Sequence, residues 1–241
     1  MFSFLRRRTT YVESGLLKGA ADHHSHILYG VDDGVRTLEE ALTILEWNAR
    51  QGISHLWCTP HIMEDVPNTT ERLKARFQEL TAAYDGPIQL HLGAEYMLDN
   101  LYTQRLEEGD LLQHSPGHVL VETSTIAPPL HLWEQLERTM SLGYRPIMAH
   151  AERYLYMRPE DYDRLHAMGV PLQLNMTSLA GYYGKDVLAR AKWLLKRGYY
   201  GLTGSDCHRL GPIRNQYQSK PVSRKLIDQL RPLMGPYLEE A

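Results

Sequence analysis

Apolar positions along this chain follow two rhythms. Short runs rich in β-branched, leucine and aromatic residues read as strands: Ala21–Ile27, Ile53–Thr59, Ile88–Tyr96, His118–Glu122, Arg145–Ala149, Pro171–Asn175 and Tyr200–Ser205. Between most of them the pattern is amphipathic and helical. Thr37 with Glu40 three residues on has the form of a capping box, so a helix is predicted from there to about Gln51. Asn68 with Glu71 predicts a second helix ending near Tyr84. Pro129–Ser141, Pro159–Met168 and Lys185–Lys196 are further predicted helices, and Val222–Leu233 reads as a closing one.

Four of the helical runs end at a glycine, Gly52, Gly143, Gly169 and Gly198, and a strand-like run follows each. Glycine takes the left-handed conformation that closes a helix. Repeated strand–helix–glycine–strand units imply a parallel sheet. Seven strands with helices between them favour an α/β barrel related to the TIM barrel. An open doubly wound sheet is the alternative, because periodicity does not determine closure. No linker rich in Pro, Gly or Ser interrupts the run, so residues 19–241 read as one domain behind a tail of residues 1–18.

That tail begins Met1-Phe2-Ser3-Phe4-Leu5 and then carries Arg6, Arg7 and Arg8. A secretory signal places its charges before an apolar run of roughly 7–15 residues. Here the order is reversed and the apolar run is short, so a surface tail is expected. No stretch of about 18 apolar residues predicts a membrane span. Composition adds little against this reading: 43% of the 241 residues are hydrophobic and 23% charged, ordinary for a packed domain. A net charge of −3 gives no basic stripe and no argument for nucleic acid. The two cysteines, Cys58 and Cys207, form no disulfide framework, which fits a reducing cytoplasm.

The chemistry gathers where strands end. Barrel enzymes place reactive groups at the C-terminal ends of their strands. The first strand carries His24 and His26, two apart and so on one face. A turn with Asp32 and Asp33 follows. The next strand ends deliver His61, Glu95, Glu122, His150 with Glu152, and finally Asp206 with His208. One such residue alone is an ordinary polar side chain. So many carboxylates and imidazoles converging on one rim are costly to bury without a cation. Mixed His and carboxylate donors without thiolate suit Mn, Fe, Zn or Mg.

Five segments carry a resemblance: DHHSHILYGVDDG, TPHIM, GAEYMLD, AHAERY and GSDCH, with VETS and NMTSLAGYYG between them. Together they resemble the PHP (polymerase and histidinol phosphatase) superfamily, and within it the CpsB/CapC-type bacterial tyrosine phosphatases, over about Lys18 to Arg214. The resemblance implies a distorted (β/α)7 barrel and two or three divalent metal ions, Mn first, with Fe, Mg, Zn or Co as alternatives. It implies nine ligands: His24, His26, Glu95 and Asp206 around one ion, Glu95 bridging to a second held with Glu122 and His150, and Asp33, His61 and His208 around a third. Asp32 is expected to be structural and His23 to point away from the ligands. Ala151 stands where the family commonly has Pro, Cys207 where it has Ala, and Tyr29 where it often has Pro; none of these is a ligand position. The family also carries an arginine shortly after the last histidine, and Arg214 is favoured over Arg209.

The implied activity is hydrolysis of phosphotyrosine by a metal-activated water. Its expected substrate is a bacterial tyrosine kinase with a tyrosine-rich tail that controls capsule or exopolysaccharide export. Clustered cations acidify a bound water and neutralise phosphate oxygens, and Arg153, three residues after His150, is a candidate to grip the phosphate. The competing reading of Arg153 is a salt bridge to Glu152. Tyr154, Tyr156, Tyr182 and Tyr183 are candidates to line the mouth. The Cys-x5-Arg pattern of cysteine-based phosphatases is absent: Glu64 lies six residues after Cys58, and Ile213 six after Cys207. Histidinol-phosphate phosphatase is the nearest alternative activity. An amidohydrolase needs a bridging lysine or similar group where Glu95 stands, and a metal-stabilised binding module is disfavoured because none of the nine ligands is missing.

Overall fold

The computed structural model describes residues 8–236. In chain order the elements are β1 (Arg8–Thr9), β2 (Ala21–Ser25), α1 (Leu38–Gln51), β3 (His55–Cys58), β4 (His61–Ile62), α2 (Thr70–Ala83), β5 (Gln89–Leu92), β6 (Glu95–Met97), α3 (Asn100–Glu108), β7 (His118–Glu122), α4 (Leu132–Ser141), β8 (Arg145–Met148), α5 (Pro159–Ala167), β9 (Leu172–Asn175), α6 (Met176–Leu179), α7 (Lys185–Arg197), β10 (Tyr200–Gly204), α8 (Leu210–Ser219), β11 (Val222–Ser223) and α9 (Arg224–Leu230). Short 3₁₀ turns cover Ala151–Arg153 and Arg231–Met234.

The predicted strands are present, with one change. The run Ile88–Tyr96 is two strands, β5 and β6, parted by Gly93-Ala94. Helix α1 opens on the expected box: Glu40 N donates to Thr37 Oγ1 at 3.2 Å and Thr37 N to Glu40 Oε2 at 3.3 Å. Gly52, at φ 92°, closes it. Helix α2 is capped by Thr69, whose Oγ1 accepts from Arg72 N at 3.2 Å, and not by Asn68. The Asn68 amide is spent elsewhere, donating to the carbonyls of Val31 and His61 at 2.9 Å each. It thereby ties two rim loops together. The closing run is a short strand, the helix α9 and a 3₁₀ turn rather than one helix over Val222–Leu233.

The architecture is mixed α/β with parallel sheets. One sheet has six strands in the order β10-β9-β8-β7-β6-β4, and another has three in the order β2-β3-β5. Because β3 continues into β4 and β5 into β6, the two sheets share a seam. Thr59 N donates to Ser25 O at 2.9 Å, Gly93 N to Cys58 O at 2.9 Å and Glu95 N to Pro60 O at 3.0 Å. At the other edge the end of β2 meets the chain after β10: Asp206 N donates to His24 O at 2.9 Å, and His26 N to Cys207 O at 3.0 Å. Residues on the helix-facing side, such as Leu45, Leu56, Val119, Val121 and Met148, join one large core. Leu120, Ile147, Ala149 and Leu202 form a small separate cluster on the other face. Strand alternation then puts Glu122, two residues after Leu120, on that second face.

The expectation of a surface tail over residues 1–18 is corrected for residues 8–18; residues 1–7 lie outside the described residues. β1 pairs antiparallel with β11. Tyr11, Leu16 and Leu17 are buried in the main core, and Tyr11 Oη donates to Met176 O at 3.0 Å. An apolar side chain of this size stabilises by about 1.5–3 kcal/mol when buried. The charged start of the segment masked that apolar anchor in the sequence.

Candidate metal centre

Two glycines let the histidines of β2 in. A Cβ on Gly204 would sit 2.4 Å from His24 Cβ, and one on Gly34 would sit 2.2 Å from His26 O. Only a residue without a side chain tolerates either approach. Each imidazole is then fixed through its Nδ1. His24 Nδ1 meets Gln173 Oε1 at 2.6 Å, and His26 Nδ1 meets Asp32 Oδ2 at 2.8 Å. Asp32 is itself held by the amides of Gly34 at 2.9 Å and His61 at 3.1 Å. Such acceptors select the tautomer that leaves Nε2 free as a ligand.

The two Nε2 atoms lie 3.0 Å apart and face the same carboxylates. Glu95 Oε2 is 3.3 Å from both, and Asp206 Oδ1 is 3.6 Å from His24 and 3.4 Å from His26. Donors about 2.1 Å from one ion at tetrahedral angles stand about 3.4 Å apart, so His24, His26 and Asp206 have the spacing of a shared cation, while Glu95 groups with His61 and Glu122. His61 Nδ1 lies 3.1 Å from Glu95 Oε2 and 3.1 Å from Glu122 Oε1. All three of these atoms are buried and lack a hydrogen-bond partner. Glu95 Oε1 is 2.8 Å from His150 Nε2, and Glu122 Oε2 is 3.5 Å from it. At the rim, Asp33 Oδ1 stands 3.6 Å from His61 Nε2 and 3.3 Å from His208 Nε2. Thus the nine expected residues converge. The grouping differs from the expected one: His26 joins Asp33, His61 and His208, Glu95 stands apart from the His24, His26 and Asp206 group, and His61 rather than His150 groups with Glu95 and Glu122.

Charge explains the strain of this arrangement. Burial opposes a charged imidazole, yet Glu95, Asp206 and Asp32 hold His24 and His26 above the usual histidine range. Burial and His26 oppose a proton on His61 too, but Glu95 and Glu122 raise it to about 10. Burial works against a charged Glu95 as well, and the histidines nonetheless pull it well below the usual carboxylate range. The carboxylates therefore demand positive charge, and a divalent cation meets that demand while leaving the imidazoles neutral. Among the described residues the non-glycine positions with positive φ are His150 at 31° and Asp206 at 54°. Both belong to this centre, where backbone strain commonly collects.

Arg153 Nη1 donates to Asp206 Oδ2 at 3.0 Å, and its guanidinium lies over the Tyr183 ring at 4.7 Å. It does not pair with Glu152. That carboxylate is buried and accepts from Asn175 N at 3.0 Å, Ser178 Oγ at 2.6 Å and Tyr200 Oη at 2.9 Å. A cavity of about 690 Å³ opens above the centre, lined on its apolar walls by Met63, Val66, Met97, Ile126 and Tyr182, with Arg153 and Arg209 also on its lining. Arg214 is exposed and does not line it. Helix α8 turns Ile213, Gln216 and Tyr217 inward, so the helical period carries Arg214 off that face. Tyr182 and Tyr183 border the cavity, but Tyr154 and Tyr156 do not. Tyr154 is fully buried, its ring 5.7 Å from that of His150 and its Oη accepting from Thr123 N at 3.3 Å. Tyr156 is spent on Thr123 Oγ1. His23 is outside the centre, packed on Trp57 at 4.4 Å with its Nε2 3.0 Å from Gly235 O. Both cysteines are buried, and burial pushes both thiols well above the usual range, so neither is a nucleophile.

The residues that sequence reasoning passed over are Gln173 and Asn175. They stand two apart on β9, which brings no His, Asp or Glu to the rim. Two polar residues sharing a face of a buried strand were the available signal.

The model of the capsular polysaccharide synthesis family CpsB/CapC matches residues 20–220. The chain belongs to the CpsB/CapC family. Among its CpsB/CapC relatives, the tyrosine-protein phosphatase CpsB of Streptococcus pneumoniae is 27% identical over 237 residues, covering 88% of this chain and 97% of that one. CpsB of Streptococcus agalactiae is 28% identical over 208 residues, covering 78% and 83%. A solved structure from work on YwqE of Bacillus subtilis and CpsB of Streptococcus pneumoniae, described as unique metal-dependent tyrosine phosphatases, matches with a TM-score of 0.74 at 26% identity, covering 80% of this chain and 81% of that one. No helix among the described residues is long and apolar enough to cross a membrane.

Proposed function

We propose that this protein is a metal-dependent protein-tyrosine phosphatase that acts in the cytoplasm on a phosphorylated bacterial tyrosine kinase of capsule or exopolysaccharide synthesis. The carrying observation is the meeting of Glu95 Oε2, Glu122 Oε1 and His61 Nδ1, buried, within 3.1 Å of the imidazole nitrogen and without hydrogen-bond partners. A divalent cation neutralises such a group while leaving His61 neutral to serve as a donor. His24, His26, Asp33, His61, Glu95, Glu122, His150, Asp206 and His208 are its ligands in this reading. They hold two or three divalent ions in this reading; imidazole and carboxylate donors without thiolate suit Mn, Fe, Zn or Mg alike, and Mn stands first on the family resemblance. The seam and edge hydrogen bonds between the two sheets support reading residues 19–241 as one PHP-type distorted (β/α)7 barrel.

Divalent ions held by these residues would supply charge neutralisation and an acidified water for phosphate-ester hydrolysis. The chain supplies the rest. Arg153 presents its planar fork to the phosphate oxygens, where negative charge spreads in the transition state. The walls of Met63, Val66, Met97, Ile126 and Tyr182 take an aromatic ring above the charged floor. A phenolate leaving group needs less protonation than an alkoxide, and His61 and His208 line the cavity where it departs. Those apolar walls favour phosphotyrosine over histidinol phosphate, the alternative substrate.

The test is to strip the protein with EDTA and assay a phosphotyrosine peptide, a phosphoserine peptide and histidinol phosphate before and after adding Mn²⁺. Activity should vanish and return. The phosphotyrosine peptide should win in kcat/KM by about tenfold or more. Full activity after stripping would end the metal reading, and preference for histidinol phosphate would install the alternative.

A further inference from the structure

The two candidate ligands with left-handed backbones, His150 and Asp206, are joined through a buried polar brace. Asp206 Oδ2 accepts from Asn175 Nδ2 at 3.0 Å, besides Arg153 Nη1 at 3.0 Å and Tyr183 Oη at 3.4 Å. With Oδ2 so held, Oδ1 is left toward His24 and His26. The Asn175 amide has one orientation available. Its Oδ1 accepts from Thr177 N at 3.0 Å and Thr177 Oγ1 at 2.7 Å, so its Nδ2 must face Asp206. The Asn175 backbone N donates in turn to Glu152 at 3.0 Å. Glu152 lies on the 3₁₀ turn Ala151–Arg153, which begins where His150 adopts φ 31°. Ser178 Oγ and Tyr200 Oη complete the hold on its carboxylate.

We infer that Asn175 and Glu152 are positioning residues of the cation centre, Asn175 aiming Asp206 and Glu152 pinning the turn that carries His150 and Arg153. This rests on the metal-centre reading above. A left-handed non-glycine residue persists only where its surroundings over-determine it, and these contacts provide that over-determination on both sides of the centre. Asn175 and Tyr183 hold Asp206 Oδ2 independently of Arg153.

Asn175 has a structural duty as the N-cap of α6, and the decisive variant separates the two roles. Serine is a good N-cap that still accepts from Thr177 N, but it is too short to reach Asp206. Asn175→Ser should therefore keep the far-UV spectrum and the melting temperature of the chain in EDTA, while Mn²⁺ binding, read by calorimetry on the full chain, weakens about 10–100-fold. Glu152→Gln should weaken Mn²⁺ binding in the same direction, and if it does not fold, Asn175→Ser decides alone. Mn²⁺ binding by Asn175→Ser within about threefold of wild type, or weakening matched by loss of the EDTA melting transition, overturns the proposal. Failure of the wild type itself to bind Mn²⁺ would strike the metal-centre reading instead.

Discussion

Arg153 Nη1 and Asp206 Oδ2 are 3.0 Å apart, and the other oxygen of that carboxylate lies 3.4 Å from His26 Nε2. One carboxylate therefore links the arginine at the cavity to the histidine pair beneath it. The arginine is not a ligand, so its loss should separate substrate handling from metal binding.

Arg153→Ala is expected to lower kcat/KM on a phosphotyrosine peptide by about 10²–10³-fold, as loss of one fixed donor to a developing oxyanion does. Metal per chain should stay at the wild-type value, because Asn175 and Tyr183 still hold Asp206. Elemental analysis beside the kinetics checks both. Metal lost in step with activity would mean that Arg153 acts only through Asp206.

Glu95 offers both oxygens to the centre, Oε2 toward His24, His26 and His61 and Oε1 toward His150. Glu95→Gln should cost about 100-fold or more in activity and reduce metal content. Asp99, four residues on, caps α3 by accepting from Tyr102 N at 2.9 Å. Asparagine caps as well, so Asp99→Asn should stay within about threefold of wild type. Equal losses in the two variants would remove Glu95 from its central place.

A second histidine group, outside the centre, contributes to the loss of stability at acid pH. Burial, then the neighbouring His91 and His55, lower His23 to about 4 against the pull of Gly235 O, and burial with His55 lowers His91 to about 4. Unfolded histidine titrates near 6.5, so the unfolded chain binds these protons first as pH falls. The contribution is complete above about pH 6.5 and is lost between there and about pH 4, amounting to about 3 kcal/mol for His23 at the limit. Urea midpoints in EDTA between pH 7.5 and 4.5 should fall less steeply for His23→Phe than for wild type. The imidazoles of the centre act in both chains alike, so they cancel in the difference. Identical slopes would exclude His23 from this role.

Much of this molecule was legible along the chain, because the relevant signals are local. The Thr37–Glu40 box and the glycine after α1 act within one turn of backbone, and they place that helix without any distant contact. Strand ends are likewise marked by short apolar runs, which is why His24, His26, His61, Glu95, Glu122, His150, Asp206 and His208 are legible in the sequence as one rim group, whereas the preference for Asp33 over Asp32 and the omission of Glu152 follow from the family resemblance. What they could not reveal was orientation. Arg214 and Arg209 are equally plausible by spacing, and only the direction in which α8 buries Ile213 excludes the first. Tyr154 and Tyr182 are both near ligand strands, yet packing sends one beneath His150 and the other to the cavity. Residues Arg8–Lys18 look like a tail because their partners, β11 and Met176, are more than 150 residues away. Gln173 and Asn175 carry no charge to draw notice. Their roles follow from hydrogen bonds between β9 and the ends of β2 and β10, and pairings of that kind exist only once the sheets have assembled.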